Sequence, residues 1–190
     1  MSGVTKEDIL QIFKKSGALL DGHFILRSGL RSRQFFQCAL ALQDMPSVEL
    51  LGKALANKLC NYSPVTVLAP AMGGLVIGQE VARQLGVRFI FAEKDNDSLV
   101  LRRGFKISPN EQIVIVEDVV TKGGRVAEAI SIVKKHQAEV CAIGVVVDRS
   151  NGSANIGAPM ESLLSMTVET FNPDSLPNDL KDITAIKPGS

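Results

Sequence analysis

The sequence of 190 residues has no tryptophan, one tyrosine, three cysteines and two histidines. Three widely spaced cysteines form neither a disulfide framework nor a zinc-binding pattern, and their apolar surroundings are typical of buried thiols in a reducing compartment. No segment approaches the roughly 18 consecutive apolar residues that a membrane span requires, and the N-terminus lacks the apolar stretch of a signal peptide. The sequence therefore predicts a cytoplasmic protein that binds no membrane.

An excess of charge of one sign is also lacking, since 21 basic residues face 20 acidic ones and the formal net charge is +1. Such a balance gives no general attraction for nucleic acid, so any anion site must be local. The sequence contains neither G-x-x-x-x-G-K-[ST] nor G-x-G-x-x-G. It therefore gives no basis for a Walker-type nucleotide hydrolase or a dinucleotide-dependent oxidoreductase. No serine lies in a G-x-S-x-G motif, which disfavours a hydrolytic triad.

The sequence does contain a regular alternation of helical and apolar strand patterns. A helix is predicted from Thr5 to Gly17, and residues 23–43 read as two strands around a basic connection. The later elements are helices at about 47–60, 74–85 and 124–137 and the strands VTVLAP, VRFIFAE, IVIVED and VCAIGVVVD. Continuous Val/Ile/Leu strands separated by helices indicate a parallel sheet covered on both faces. The predicted fold class is α/β, a doubly wound, mostly parallel sheet with helices on both faces plus a small N-terminal antiparallel flap.

Length and composition are those of one globular domain over residues 1–190. Within it we expect an N-terminal helix and flap over residues 1–45 and an α/β core over residues 46–170. The last segment, residues 171–190, carries three prolines and little apolar periodicity. We expect it to form an irregular terminal arm.

Ligands of doubly wound sheets bind outside the carboxyl ends of the strands, so the loops that follow the four core strands are the place to look. These loops are PAMGG, EKDNDSLVLRRG, EDVVTKGGR and DRSNG. In the third loop, Glu117 and Asp118 end a strand, and Gly123 and Gly124 open a helix. Converging backbone N–H groups and the positive helix end there can hold a phosphate, with Thr121 as a hydroxyl donor. The plain alternative is an ordinary strand–turn–helix connection with solvated acids.

The segment IVIVEDVVTKGG resembles the phosphoribosyl-diphosphate binding motif of the type I phosphoribosyltransferases. Together with HFILRSGLRSRQFFQCAL and VVDRSNG, it is similar in order and spacing to the orotate-using branch of that family over roughly residues 5–170. The resemblance implies transfer of phosphoribosyl from phosphoribosyl diphosphate to orotate, giving orotidine monophosphate and diphosphate in pyrimidine synthesis. It also implies Mg²⁺ bridging substrate oxygens, with no dedicated protein ligands because Mg²⁺ keeps its waters.

The resemblance assigns Glu117 and Asp118 to the ribose hydroxyls, where carboxylates stabilise the oxocarbenium-like charge of the transition state. It assigns the following loop to the 5-phosphate, through Thr121, Lys122, Gly123, Gly124 and Arg125. The family usually has small side chains at the positions of Lys122 and Arg125. These cations either attract the 5-phosphate or point away from it, and if they obstruct the loop the protein is an inactive relative.

The loops after the first two core strands match the family's diphosphate site. Ala71 and Gly73 fall in its diphosphate-binding loop, although small residues also suit a plain helix start. Lys94 matches a donor-binding lysine, and the segment 94–104 fits a mobile lid that excludes water, with Arg102 and Arg103 as candidate catalytic cations. The further Lys and His of the better-known lids are missing here. In the family the lid reaches into the neighbouring subunit, which implies a homodimer. The plain alternative for this segment is a solvated basic hairpin.

For the acceptor, Arg149 matches the family arginine that grips the carboxylate of orotate, a role suited to a planar fork of donors. A strand-end arginine paired with Asp148 is the alternative. Arg27, Phe35 and Phe36 match residues that border the base, and an aromatic ring with a guanidinium suits a flat anionic pyrimidine. The two phenylalanines fit a core role equally well.

Two other functions are compatible with the same motifs. A purine-type phosphoribosyltransferase would leave Arg149 facing no carboxylate, and a purine would compete with orotate. A regulator that senses phosphoribosyl diphosphate could share the fold, but the neutral charge and the absence of an added DNA-binding element disfavour it.

Overall fold

The computed structural model describes residues 4–26, 28–96, 98–152 and 156–188. The helices are α1 (Lys6–Lys15), α2 (Met45–Leu59), α3 (Gly74–Leu85), α4 (Gly124–Lys135) and α5 (Asn178–Lys181). The strands are β1 (Leu19–Ile25), β2 (Arg31–Phe36), β3 (Thr66–Pro70), β4 (Arg88–Asp95), β5 (Ser98–Leu101), β6 (Gln112–Val120), β7 (Glu139–Asp148), β8 (Met160–Ser165) and β9 (Thr170–Phe171).

The larger sheet has the strand order β5-β4-β3-β6-β7-β8. Five of these strands run parallel, and β5 is antiparallel to β4 at one edge. Alternate residues of β6 serve the two faces: Val114 packs in one apolar cluster with Leu55 of α2, and Ile115 packs in the other with Ile130 of α4. This layered arrangement confirms the predicted doubly wound α/β class.

Local signals explain where the first helices begin. The Thr5 side chain accepts from the Asp8 N–H at 3.2 Å and the Thr5 N–H donates to Asp8 Oδ2 at 2.9 Å, a capping box that confirms the predicted start of α1. Helix α2 begins slightly earlier than predicted. Asp44 Oδ2 accepts from the Ser47 N–H at 3.0 Å, and a proline lies in the first turn.

The flap is a small antiparallel sheet of strand order β1-β2-β9. Leu19 pairs with Phe36 at one end of β1 and β2, and a short 3-10 turn over Cys38–Leu40 follows. The predicted antiparallel flap is confirmed, although its first strand begins earlier than residue 23. Its third strand, β9, comes from the distant C-terminal part of the chain and was not predicted.

Two edge strands differ from the sequence prediction. The segment 94–104 was predicted as a mobile loop with a basic hairpin as the alternative, and the structure has the hairpin. Strand β4 continues to Asp95 and β5 returns antiparallel from Ser98, with Asn96 in the left-handed region at φ 53°. Asparagine tolerates this conformation, so polar composition here marks a tight turn rather than a long loop. Strand β8 extends the sheet beyond β7 and was missed because it lies at an edge and is only partly buried.

The terminal arm folds back onto the flap. The Ile25 N–H donates to the Ile186 carbonyl, and the Ile186 N–H donates to the His23 carbonyl, both at 2.8 Å. Leu180 of α5 is 2% exposed, and Arg33 of β2 forms a bidentate bond to Asp179. Apart from the single turn of α5, the arm is irregular as expected, but it is firmly docked.

All three cysteines, Cys38, Cys60 and Cys141, lie within the described residues and are free thiols. The prediction of buried thiols is confirmed for Cys38 and is wrong for Cys60, which is exposed. Among the helices of the described segments, none combines the length and apolarity needed to cross a bilayer.

Candidate active site

The acid pair lies near the carboxyl end of β6, in the middle of the large sheet. Glu117 pairs in register with Val145 of β7 and is 3% exposed. Asp118, its neighbour in the same strand, is half-buried. The strand was predicted to end with the acids, but it continues to Val120, so the pair lies just inside its carboxyl end. The two carboxyl groups also differ in burial.

Glu117 is the more perturbed member of the pair. Its Oε2 has no hydrogen-bond partner among the described residues, and its Oε1 accepts from the Asp118 N–H at 3.2 Å. Burial, and next the neighbouring Asp118 carboxyl group, raise the pKa of Glu117 to about 9. At neutral pH the raised pKa favours the protonated form of Glu117, which can donate a hydrogen bond.

The segment after β6 forms the glycine turn that the sequence predicts. Gly123 has φ 76°, a left-handed conformation that favours glycine, and α4 begins at Gly124. Thr121 and Gly124 are exposed, so the backbone N–H groups of this turn are open to a ligand. We call residues 121–125 the phosphate turn.

The segment after β3 packs directly against the acid pair. A Cβ atom added at Gly73 would lie 2.5 Å from Asp118 Oδ1 and 2.9 Å from Glu117 Oε1. A side chain at position 73 would therefore displace one or both carboxyl groups, and glycine lets this segment lie against them. The peptide bond between Ala71 and Met72 is cis. We call residues 71–73 the small-residue loop.

Arg125 joins the two loops. Its Nη1 donates to the Ala71 carbonyl at 3.0 Å, and its charge lowers the pKa of Glu117 against the larger effect of burial. Lys122 is exposed, as Arg125 is, but it is not among the residues that line the cleft described below. Of the two cations that depart from the family pattern, Arg125 thus faces the small-residue loop.

These segments enclose a cleft of about 1080 Å³. The predicted site residues that line it are Ala71, Gly73, Lys94, Glu117, Asp118, Thr121, Gly123, Gly124 and Arg125. Its opposite wall is formed by Gln37, Ala39, Leu42 and Gln43, which follow the flap. Sequence reasoning missed this wall, because nothing in a short polar and apolar segment indicates which distant loop it will face.

The lid arginines lie apart from the acid pair. Arg103 forms two bonds of 2.7 Å to the Glu93 carboxylate, and Arg102 forms an ion pair with Asp95. Neither arginine is among the residues that line the cleft. The structure therefore brings Lys94 into the cleft while both lid arginines are held by acids of their own hairpin.

The predicted acceptor residues are divided among three environments. Arg149 follows β7 directly and is half-buried. Its backbone N–H donates to the Val120 carbonyl at 2.8 Å. Its side-chain Nε has no partner within the described part of the chain. Phe36 is a core residue in edge contact with Phe13, at 4.9 Å between ring centroids. Phe35 is half-buried, and its ring centroid lies 5.8 Å from that of Phe24. Burial lowers the pKa of Arg149.

Arg27, the remaining acceptor-side residue, lies outside the described residues.

Comparison with known proteins gives a consistent result. The model of the phosphoribosyl transferase domain matches residues 39–173. The orotate phosphoribosyltransferase of Desulforamulus reducens is 48% identical over 187 residues, 98% of each chain. The orotate phosphoribosyltransferase of Thermotoga maritima is 43% identical over 182 residues, 96% of this chain and 97% of its own.

Solved structures share the fold at lower identity. The orotate phosphoribosyltransferase of Aeropyrum pernix matches with a TM-score of 0.71 at 24% identity, covering 83% of this chain and 93% of its own. The adenine phosphoribosyltransferase of Thermoanaerobacter pseudethanolicus matches with a TM-score of 0.63 at 20% identity, covering 70% and 88%. The fold alone therefore does not distinguish pyrimidine from purine acceptors.

Proposed function

We propose a catalytic centre for this chain, which belongs to the orotate phosphoribosyltransferases of the phosphoribosyl transferase family. The proposed centre is the cleft between the small-residue loop and the phosphate turn. The reaction joins orotate to phosphoribosyl diphosphate, giving orotidine monophosphate and diphosphate in pyrimidine biosynthesis. The bond from the anomeric carbon to diphosphate breaks, and a bond to the anionic ring nitrogen of orotate forms. The observation that carries the proposal is the direct packing of Gly73 on Glu117 and Asp118.

The acid pair binds the two ribose hydroxyls in this proposal. Asp118, the half-exposed member, supplies the negative charge that stabilises the oxocarbenium-like ring. Glu117 is buried and its raised pKa favours the protonated form, so it begins as a hydrogen-bond donor to a hydroxyl oxygen. The two neighbouring acids thus have different tasks, which their sequence positions do not distinguish.

In this proposal the 5-phosphate and the diphosphate of the donor lie on opposite sides of the acid pair. The backbone N–H groups of the phosphate turn and Thr121 hold the 5-phosphate, and the charge of Arg125 adds attraction there. Ala71 and Gly73 lie where backbone can approach the diphosphate leaving group, and Lys94 contributes a cation from the lid side. Exposed Lys122 contributes at most long-range charge.

Arg149 is proposed to bind the orotate carboxylate. Its buried Nε without a partner is a donor that a bound carboxylate would satisfy, which is the physical support for this role. Phe35 and Arg27 are proposed to border the pyrimidine ring. Phe36 supports the flap from the core through its contact with Phe13.

Mg²⁺ is the proposed metal. The carboxyl oxygens at the cleft, foremost those of the half-buried Asp118, are hard acceptors of the kind that suit the hydration shell of Mg²⁺. We propose that substrate oxygens and water supply its direct ligands. When bound, the metal would neutralise the charge that develops on diphosphate.

The proposed assembly is a cytoplasmic homodimer in which the lid hairpin of one subunit completes the site of the other. Closure would exchange the internal ion pairs of Arg102 and Arg103 for diphosphate oxygens. The three free thiols support a reducing compartment.

The test is to follow the absorbance of orotate with purified protein, phosphoribosyl diphosphate and Mg²⁺. Orotate should be consumed, and Asp118→Asn should lower kcat at least about a hundredfold, because one charge facing the cationic ring is lost. Adenine or guanine added in excess should not compete. A wild-type protein that consumes a purine but no orotate would disprove the assigned acceptor, and full activity of Asp118→Asn would disprove the role of the acid pair.

A further inference from the structure

Helix α4 contacts the loops on both sides of the phosphate turn through two side chains. Arg125 Nη1 donates to the carbonyl of Ala71 at 3.0 Å. Glu128 Oε2 accepts from the backbone N–H of Leu99 at 2.8 Å. Residues three apart lie on the same face of a helix, so Arg125 and Glu128 make both contacts from one face of the first two turns of α4.

The Leu99 N–H needs such a partner. Strand β5 is an edge of the large sheet, and edge strands carry backbone donors that no neighbouring strand satisfies. Leu99 lies opposite Lys94 in the hairpin, and its side chain is buried in the same cluster as Val126 of α4. Glu128 therefore fixes the hairpin at Leu99, which lies directly opposite Lys94, and Lys94 lines the cleft.

The Ala71 carbonyl belongs to a loop that is held mainly through its backbone, with Gly73 lying against the acid pair. The neighbouring Met72 is 78% exposed, so side-chain burial does not anchor this segment. The bond from Arg125 ties it to the start of α4, and the Ala71 N–H donates to the Ala92 carbonyl at 2.8 Å. Loops with few buried contacts open locally at low free-energy cost, so one charge-assisted bond is a large part of what holds them.

We propose that the start of α4 aligns all three donor-binding loops before substrate arrives, with Arg125 and Glu128 as positioning residues for the small-residue loop and the lid hairpin. The consequence for donor affinity rests on the proposed function. The alignment itself does not, since it is a property of the free protein. Glu128 lies outside the cleft lining, so it acts through Leu99 rather than on the substrate.

The test uses amide hydrogen exchange of the free protein together with steady-state kinetics. Glu128→Ala should speed exchange of the Leu99 amide at least about tenfold, while exchange over residues 71–75 stays at the wild-type rate. Arg125→Ala should speed exchange over residues 71–75 and leave Leu99 unchanged. Each variant is thus the control for the other. Exchange that rises throughout the protein in either variant, or at neither segment, would overturn the proposal.

Kinetics separate alignment from folding. Glu128→Ala should raise the KM for phosphoribosyl diphosphate about tenfold with a smaller change in kcat, the scale expected for one lost bond to a charged group. Glu128→Gln keeps an acceptor oxygen and should restore both the KM and the slow exchange of Leu99. A Gln variant as impaired as the Ala variant would disprove the positioning role. An inactive wild-type protein would instead disprove the proposed function while the exchange result still stood.

Discussion

At the scale of single residues, the buried Glu117 has a consequence for stability. Its pKa rises from 4.5 to about 9 in the folded protein, so folding favours the protonated form. This contribution to stability is fully present below pH 4.5 and is lost as the pH rises through about 9. The wild-type free energy of unfolding should therefore fall over that range.

Glu117→Gln should remove this pH dependence, because glutamine does not titrate. Relative to wild type, the variant should gain stability steadily as the pH is raised from about 4.5 to about 9. Urea unfolding across this range measures the difference, with the exposed carboxylate variant Glu7→Gln as the control. Parallel curves for wild type and Glu117→Gln would contradict the assignment.

Single residues also show how far sequence reasoning reaches. The acid pair and the glycine turn were found because their members are neighbours in the chain and their chemistry is local. The approach of Gly73 to Asp118 was not visible, since it depends on how β3 and β6 lie side by side. The orientation of Arg125 toward Ala71 was an open choice for the same reason. Contacts between loops require the sheet order, which the sequence does not state.

At the scale of elements, the terminal arm holds the flap in place, and Leu180 is its buried anchor. Leu180→Ala should lower the free energy of unfolding by about 2–4 kcal/mol, the usual cost of emptying a buried leucine site. Exchange of the Ile25 amide, which is bonded to the Ile186 carbonyl, should become faster as the arm loosens. Leu50→Ala, on the exposed side of α2, is the control and should change stability by less than about 0.5 kcal/mol. Equal effects of the two substitutions would show that the arm is not anchored at Leu180.

The elements themselves were predicted in proportion to their burial. Core strands such as β3 and β7 are continuous apolar runs because both faces are covered, and they lie where the sequence placed them. Strands β5, β8 and β9 were missed. They are short, partly exposed and lie at sheet edges, where the apolar pattern weakens and a tight turn at Asn96 resembles a loop in composition.

At the scale of the whole molecule, the proposed homodimer predicts a native mass of twice 20.4 kDa in sedimentation equilibrium. Arg103→Ala and Asp118→Asn, each impaired alone, should complement one another after mixing and refolding. Random pairing makes roughly half of the dimers mixed. If the lid serves the partner's site, each mixed dimer has one intact site of two, so roughly a quarter of wild-type activity should return. A monomeric mass, or no recovery on mixing, would contradict the shared lid.

The proton on Glu117 also changes how strongly the protein repels its donor. Phosphoribosyl diphosphate is a polyanion, and two ionised carboxylates in its proposed binding site would repel it during diffusional encounter. With Glu117 neutral, that repulsion is roughly halved, and Arg125 offsets much of the remainder. Capture of the donor should therefore depend only weakly on ionic strength, and it should slow in alkaline solution as the second carboxyl group acquires its charge.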